Sequence, residues 1–265
     1  IHLATRGGRC CRCDESFANY GVQLLKRFAP IIMFDVVAFD ADDTLWFSED
    51  SFRKYETQFV ETLTPYVPVG VDIKAALVAT ERKNIDAYGY GVKSFGLSSM
   101  EAAITLSNGE IPAFELQKIL HGVREHLTEP VRVFEGVAEV LAQVSSQFRT
   151  ILITKGDLAH QTRKVETSGL SHHFEHVEIV LEKDPATYAH VLKSLDINPQ
   201  SFCMVGNSMK SDILPVLAIG GFGVYVPYEI LWELDHAEHP TANTDRYVEL
   251  ETLSLVPEWL AQQRK

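Results

Sequence analysis

Three carboxylates stand within four residues in Phe39-Asp40-Ala41-Asp42-Asp43-Thr44, directly after the apolar run Val36-Val37-Ala38-Phe39. That run contains no breaker, which suits a buried parallel strand, and aspartate is a poor strand former. The strand is therefore predicted to end at Asp40, and in open α/β sheets ligands bind beyond the carboxyl ends of strands. A turn with an acidic helix cap accounts for one aspartate in such a place, but not for a cluster. Adjacent like charges repel, and the arrangement becomes favourable when a cation neutralises them. A hard, oxygen-seeking cation suits these donors, and Mg²⁺ is the expected one.

The elements that must position the cluster follow from periodicity. After Trp46 the pattern turns helical: Ser48 to Ser51 offer caps, and Phe52, Tyr55, Phe59, Val60 and Leu63 recur at helical spacing until Pro65 and Pro68. Further helices are predicted over about 71–87, from a cap at Ser98 or Ser99 to Asn108-Gly109, and over about 112–127. The loop Tyr88-Gly89-Tyr90-Gly91-Val92-Lys93 separates the second from the third. Strand–helix alternation resumes after Phe134-Glu135-Gly136, with strands at 150–154, 177–181, 202–206 and 222–226 and helices at about 137–147, 157–168, 185–195 and 212–219. This rhythm predicts an α/β fold, a Rossmann-like parallel sheet flanked by helices. The chain divides into an N-terminal extension over 1–30, an α/β core over 31–47 and 131–265, and a helical insertion over 48–130.

Asp40-Ala41-Asp42-Asp43-Thr44 resembles the DxDxT signature of the haloacid dehalogenase superfamily of phosphohydrolases. The later motifs of that family follow in order, each at a predicted strand end. Thr154 matches its motif II Ser/Thr, and Lys183 in Leu181-Glu182-Lys183-Asp184-Pro185 looks like motif III. Gly206-Asn207-Ser208-Met209-Lys210-Ser211-Asp212 is similar to the GDxxxxD form of motif IV, with Asn207 where the family usually has Asp. The resemblance covers about residues 34–230 and implies that the helical insertion is a cap domain closing over the site. It also implies that the Asp42 carbonyl reaches the metal.

The residue types suit phosphoryl transfer. Phosphate monoesters are inert, and an aspartate nucleophile, Asp40, splits their hydrolysis into two steps through an aspartyl-phosphate. Asp42, two residues on, is placed to protonate the leaving alcohol and then to activate water. Thr154 is expected to donate to the phosphoryl oxygens, and Lys183 to offset the charge of nucleophile and phosphate. Backbone amides around Ala41, Lys155 and Gly156 complete the cradle. Asp40, Asp42, Asn207 and Asp212 form the expected Mg²⁺ shell, in which the neutral amide of Asn207 weakens metal affinity. Asp43 and Asp157 read as helix-start or turn residues. Arg82 and the Tyr88–Lys93 loop either line the cap or form a solvated turn, and Trp46 sits either at the hinge or in the core. Tyr228, Trp232, His236 and His239 read as a loop at the pocket rim.

The 265 residues carry a net charge of −12, which argues against nucleic acid and against an acidic membrane surface as partners. The first thirty residues differ: they are locally basic and hold Cys10, Cys11 and Cys13, but no second ligand pair follows to complete a zinc site. Cys203 reads as a buried core residue. No signal-peptide pattern or bilayer-length apolar run is present, so a cytoplasmic protein acting on a small phosphomonoester is expected. Three rivals share parts of this pattern. A phosphomutase uses the same residues. A haloacid dehalogenase normally lacks the acid that Asp42 supplies. A non-enzymatic metal-binding module would fit only the substitution at Asn207.

Overall fold

Val36–Phe39 forms β1, every residue of it buried. In the computed structural model, which describes residues 34–230, 232–233, 235–241 and 244–263, this strand lies inside a six-stranded parallel sheet. The extension expected over 1–30, cysteines included, lies outside the described residues. The other strands are β2 (Arg149–Lys155), β3 (His176–Val180), β4 (Phe202–Gly206), β5 (Phe222–Tyr225) and β6 (Tyr247–Glu249), and the order is β3-β2-β1-β4-β5-β6. The helices are α1 (Glu49–Leu63), α2 (Ile73–Tyr88), α3 (Val92–Leu106), α4 (Ala113–Thr128), α5 (Val137–Ser145), α6 (Leu158–Thr167), α7 (Pro185–Ser194), α8 (Leu214–Ala218) and α9 (Val256–Gln263).

Alternate residues of β1 serve opposite layers. Val37 and Phe39 pack with Leu141 of α5 and Leu260 of α9, whereas Val36 and Ala38 pack with Val191 of α7 and Val216 of α8. Both faces of the sheet are covered, which is why its strands read as continuous apolar runs. The chain leaves β1 toward β2 on one side and later returns to β4 on the other. The carboxyl ends of β1 and β4 therefore flank the switch point where such sheets bind ligands.

Between β1 and β2 the chain builds α1 to α4 with a core of their own, centred on Tyr55, Phe59, Leu63, Leu77, Phe95 and Ile119. Its two connections to the sheet run side by side: Phe47 N–H donates to Arg132 O at 3.0 Å, Phe134 N–H donates to Leu45 O at 3.0 Å, and the rings of Phe47 and Phe134 lie 4.2 Å apart. Among the described residues no helix is long and apolar enough to cross a membrane.

The structure corrects the reading of several elements. The third helix starts at Val92, because Gly89 (φ 71°) and Gly91 (φ 99°) complete the turn within three residues. Ser98 and Ser99 are consequently buried inside the helix, and the Ser99 hydroxyl donates to Phe95 O at 2.8 Å instead of capping. The segment after β4 opens with a wide π-helical turn, Met209–Ile213, before α8. A sixth strand and α9 follow the five strands expected. Arg82 is exposed on α2, so of the two roles considered for it the solvated one holds.

Candidate active site

Asp40 follows β1 directly, and its amide still donates to Val205 O of β4 at 2.9 Å. Its carboxylate is paired with the Lys183 ammonium, which also donates to Asp212 Oδ1 at 2.7 Å. All three side chains are buried. Burial pushes the Asp40 carboxyl up to about 7 against the pull of Lys183, and the Asp212 and Asp42 carboxylates add to the rise. Burial works against the charge on Lys183, but Asp212 and Asp40 hold it firmly as a cation. Two carboxylates share one ammonium, so the cluster retains an uncompensated negative charge.

Asp212 is held by more than Lys183. Its Oδ2 accepts the Ser208 amide at 2.9 Å as the π-helical turn folds back over Gly206. A Cβ on Gly206 would lie 2.3 Å from Asp212 Oδ2, which is why glycine ends β4. Gly206→Ala is expected to displace Asp212, to destabilise the fold by about 1–3 kcal/mol as overpacking does, and to lower turnover. Urea unfolding checks this, and an unchanged midpoint would show that Asp212 moves aside freely.

Asp42 lies beside Asp40 but has a different environment. Its carboxylate accepts from Lys164 Nζ, from Trp46 Nε1 at 2.6 Å and from Gln161 Nε2 at 2.9 Å. Burial alone would raise its pKa, but the Lys164 charge and the three donors outweigh that and hold it below the usual carboxylate range. Two neighbouring acids thus have pKa values pushed apart, the pattern of an acid/base assignment. Asp43 has the structural role expected of it: at φ 60° it accepts the amides of Ser48 at 2.9 Å and Glu49 at 3.1 Å, at the start of α1. Asp157 likewise caps α6, accepting from His160 N–H at 2.9 Å.

Thr154, one residue before the end of β2, is fully buried, with its Oγ1 accepting from Gln161 Nε2 at 2.9 Å. Ala41 is buried at the turn between the two acids. Lys155 brings its ammonium to the site, 3.2 Å from Ser211 Oγ. Gly156 does not offer a free amide as expected: its N–H donates to Val180 O at 3.2 Å, extending the sheet by one step.

Asn207, at the end of β4, turns its carboxamide toward Asp40. The outer amide atom lies 3.1 Å from the Asp42 carbonyl oxygen, 3.1 Å from Thr44 Oγ1 and 3.2 Å from Asp40 Oδ2. Octahedral Mg²⁺ with ligands at 2.0–2.1 Å sets neighbouring oxygens about 2.9–3.0 Å apart. The Asn207 amide therefore stands from both the Asp40 carboxylate and the Asp42 carbonyl at about the separation of neighbouring Mg²⁺ donors, a spacing that suits a shared cation. Asp212 accepts from Lys183 at Oδ1 and from Ser208 at Oδ2, as Asp40 accepts from Lys183 and from Thr44, and each carboxylate oxygen keeps a further lone pair.

Two cavities meet over these residues. One of about 120 Å³ is lined by Asp40, Thr154, Lys183, Asn207 and Asp212. The other, of about 160 Å³, lies toward the helical unit and is lined by Glu49, Phe52, Glu81, Tyr90 and Phe95. Asp42, Asp43, Lys155 and Trp232 line both. Burial and nearby carboxylates push Glu49 up to about 8 and Glu81 up to about 7, so the second cavity presents partly protonated carboxyls. The predicted loop supplies Tyr90, whose hydroxyl donates to Glu182 and whose ring lies 4.1 Å from Lys155 Nζ. Lys93 pairs with Asp157 at 2.9 Å instead of lining the cavity.

Trp46, Gln161, Lys164 and Thr44 were not picked out by sequence reasoning as site residues. Trp46, which its sequence context assigns to hinge or core, is fully buried and also hydrogen-bonds Asp42. Gln161 and Lys164 stand three apart on α6, a spacing that puts them on one face without saying what that face meets.

A family model described as a hydrolase, haloacid dehalogenase-like hydrolase, matches residues 34–220. Among solved structures, a haloacid dehalogenase-like family hydrolase from Xanthomonas campestris is 42% identical, with 87% of this chain and 92% of that one covered and a TM-score of 0.77. A HAD-hydrolase from Bacillus subtilis, solved bound to magnesium, is 17% identical, with 86% and 99% covered and a TM-score of 0.59. A 2-haloacid dehalogenase from Pseudomonas syringae is 21% identical, with 87% and 99% covered and a TM-score of 0.58. The last two likenesses concern the fold alone. No match was found among curated proteins.

Proposed function

The chain belongs to the haloacid dehalogenase-like hydrolase family, and from that premise we propose that it is a Mg²⁺-dependent phosphohydrolase acting on a small phosphorylated metabolite. The observation that carries this reading is Asp42: a second carboxylate two residues past the nucleophile, lining both cavities and held by Trp46, Gln161 and Lys164. Haloacid dehalogenation needs the nucleophile but no acid for the leaving halide. Phosphate ester cleavage needs a proton for the leaving alkoxide.

The Asp40 carboxylate, the Asp42 carbonyl and the Asn207 amide would hold Mg²⁺, which when bound supplies positive charge to the phosphoryl oxygens. Asp40 attacks phosphorus and the ester oxygen departs with a proton from Asp42. Asp42 is held as a carboxylate, but an arriving phosphate dianion raises its pKa by like-charge proximity. In the second step the Asp42 carboxylate takes a proton from water, whose oxygen attacks phosphorus and frees Asp40. Thr154 donates to the phosphoryl group, and Lys183 offsets the charge gathered there.

The helical unit acts as a lid on this site and receives the leaving group in the second cavity. Its separate core, its paired connections and the Tyr90–Glu182 and Lys93–Asp157 contacts support that role. Screening the purified protein against phosphorylated metabolites and 2-chloro acids, with and without Mg²⁺, tests the proposal. Phosphate release that requires Mg²⁺ is expected. Chloride release without phosphate release would reverse the assignment.

A further inference from the structure

Asn207 replaces an acid, and its geometry gives the amide a use that a carboxylate lacks. The outer amide atom faces the Asp42 carbonyl oxygen at 3.1 Å and Asp40 Oδ2 at 3.2 Å. Those two oxygens are a backbone carbonyl, which only accepts, and the Asp40 oxygen that accepts the Thr44 hydroxyl at 3.1 Å. An amide oxygen turned toward them needs a cation between the three. An amide NH₂ turned toward them needs none, because its two protons have three acceptors within reach, Asp40 Oδ2, the Asp42 carbonyl and Thr44 Oγ1.

Thr44 is compatible with either orientation. Its Oγ1 accepts the backbone amide of Asn207 at 3.1 Å, which fixes the hydroxyl in place. The single hydroxyl proton has two acceptors at equal distance, Asp40 Oδ2 at 3.1 Å and the outer Asn207 atom at 3.1 Å when that atom is oxygen. With NH₂ inward, the proton goes to Asp40 and the amide donates to Thr44. With the carbonyl inward, the proton can go to Asn207. Only the NH₂-inward state satisfies both ends of the amide; turned the other way, the oxygen faces acceptors and the NH₂ faces donors, so that state requires the cation, and a carboxamide has nearly the same shape either way round.

We propose that Asn207 is a two-state ligand whose amide takes the place of the cation until Mg²⁺ arrives. Its NH₂ bridges Asp40 and the Asp42 carbonyl in the metal-free protein. A half-turn about the terminal side-chain bond then presents the carbonyl oxygen to the metal, with Thr44 as the positioning residue. The inference rests on the Mg²⁺ reading above and adds to it that the site is assembled without metal. A carboxylate at this position would set a further acceptor against Asp40 Oδ2 and the Asp42 carbonyl, so its site would depend more on Mg²⁺ for integrity.

The test compares wild-type protein with Asn207→Asp, each in EDTA and in excess Mg²⁺, by thermal unfolding and by calorimetric Mg²⁺ titration without substrate. The wild type is expected to be fully folded in EDTA and to gain from Mg²⁺ only what its binding supplies. Asn207→Asp is expected to melt lower than wild type in EDTA, to gain more from Mg²⁺, and to bind it on the order of tenfold more tightly, since charge count tunes such sites. A variant that folds only with Mg²⁺ supports the inference equally. A second readout uses the wild type alone: the Asn207 side-chain NH₂ should resist hydrogen exchange in EDTA and lose that protection when Mg²⁺ is added. If the wild type binds Mg²⁺ but the variant is no less stable in EDTA, or the NH₂ is unprotected there, the two-state ligand is wrong and the Mg²⁺ reading stands. If the wild type binds no Mg²⁺, both fall.

Discussion

Asp40→Asn is expected to lower phosphomonoester turnover on the order of 10⁴-fold or more, the size of effect that follows loss of a nucleophile from a catalytic unit. An amide oxygen is too weak a nucleophile to attack phosphorus, and no neighbouring group takes its place: Asp212 is committed to Lys183 and Ser208, and Asp42 to Lys164, Trp46 and Gln161. The fold should survive, because Lys183 keeps Asp212 at 2.7 Å and the amide oxygen still accepts from Lys183. Turnover of p-nitrophenyl phosphate and thermal unfolding together check this. Activity within tenfold of wild type, in a folded variant, would remove Asp40 from the nucleophile's role.

Lys183→Met is expected to damage both stability and activity. It leaves Asp40 and Asp212 buried without their shared cation, and breaking a buried pair in this way costs about 3–5 kcal/mol. The sign of the pH dependence follows from Asp40, raised from 3.8 to about 7. A carboxyl whose folded pKa is raised favours folding most when protonated, so stability is full below the unfolded value and is lost as pH rises through the folded one. Without Lys183 the rise is larger and the loss extends further. The urea midpoint of Lys183→Met should therefore fall more steeply than that of wild type between pH 5 and 8, a range spanning the Asp40 value. Parallel curves would mean that Lys183 does not stabilise the Asp40 carboxylate.

Most of the residues that meet in the site were legible because each directly follows an apolar run. Asp40 closes β1, Thr154 lies at the end of β2, and Asn207 follows β4, so recognising the strands placed them. The helices α1 to α4 were equally legible, since helical spacing ran from Ser48 to about Leu127 without a strand pattern. The supporting shell around Asp42 was not. Trp46 reads as any core aromatic, and Gln161 and Lys164 read as the polar face of an amphipathic helix until α6 is docked on the sheet. β6 is three residues long and only partly buried, too short for alternation to show. Ser98 and Ser99 misled because serine favours helix caps, whereas here two glycines with positive φ had already made the turn. The amide of Gly156 was lost to the sheet because one further ladder bond to Val180 is invisible in sequence.

The central claim is that phosphate passes through a covalent bond to Asp40. Acid-quenching the protein during turnover of p-nitrophenyl phosphate with Mg²⁺, followed by peptide mass analysis, tests it most directly. One added phosphoryl group is expected on the peptide carrying Asp40, absent without Mg²⁺ and absent in Asp40→Asn. A protein that turns over the same substrate while the phosphoryl group appears on another residue, or on none at any quench time, would contradict it.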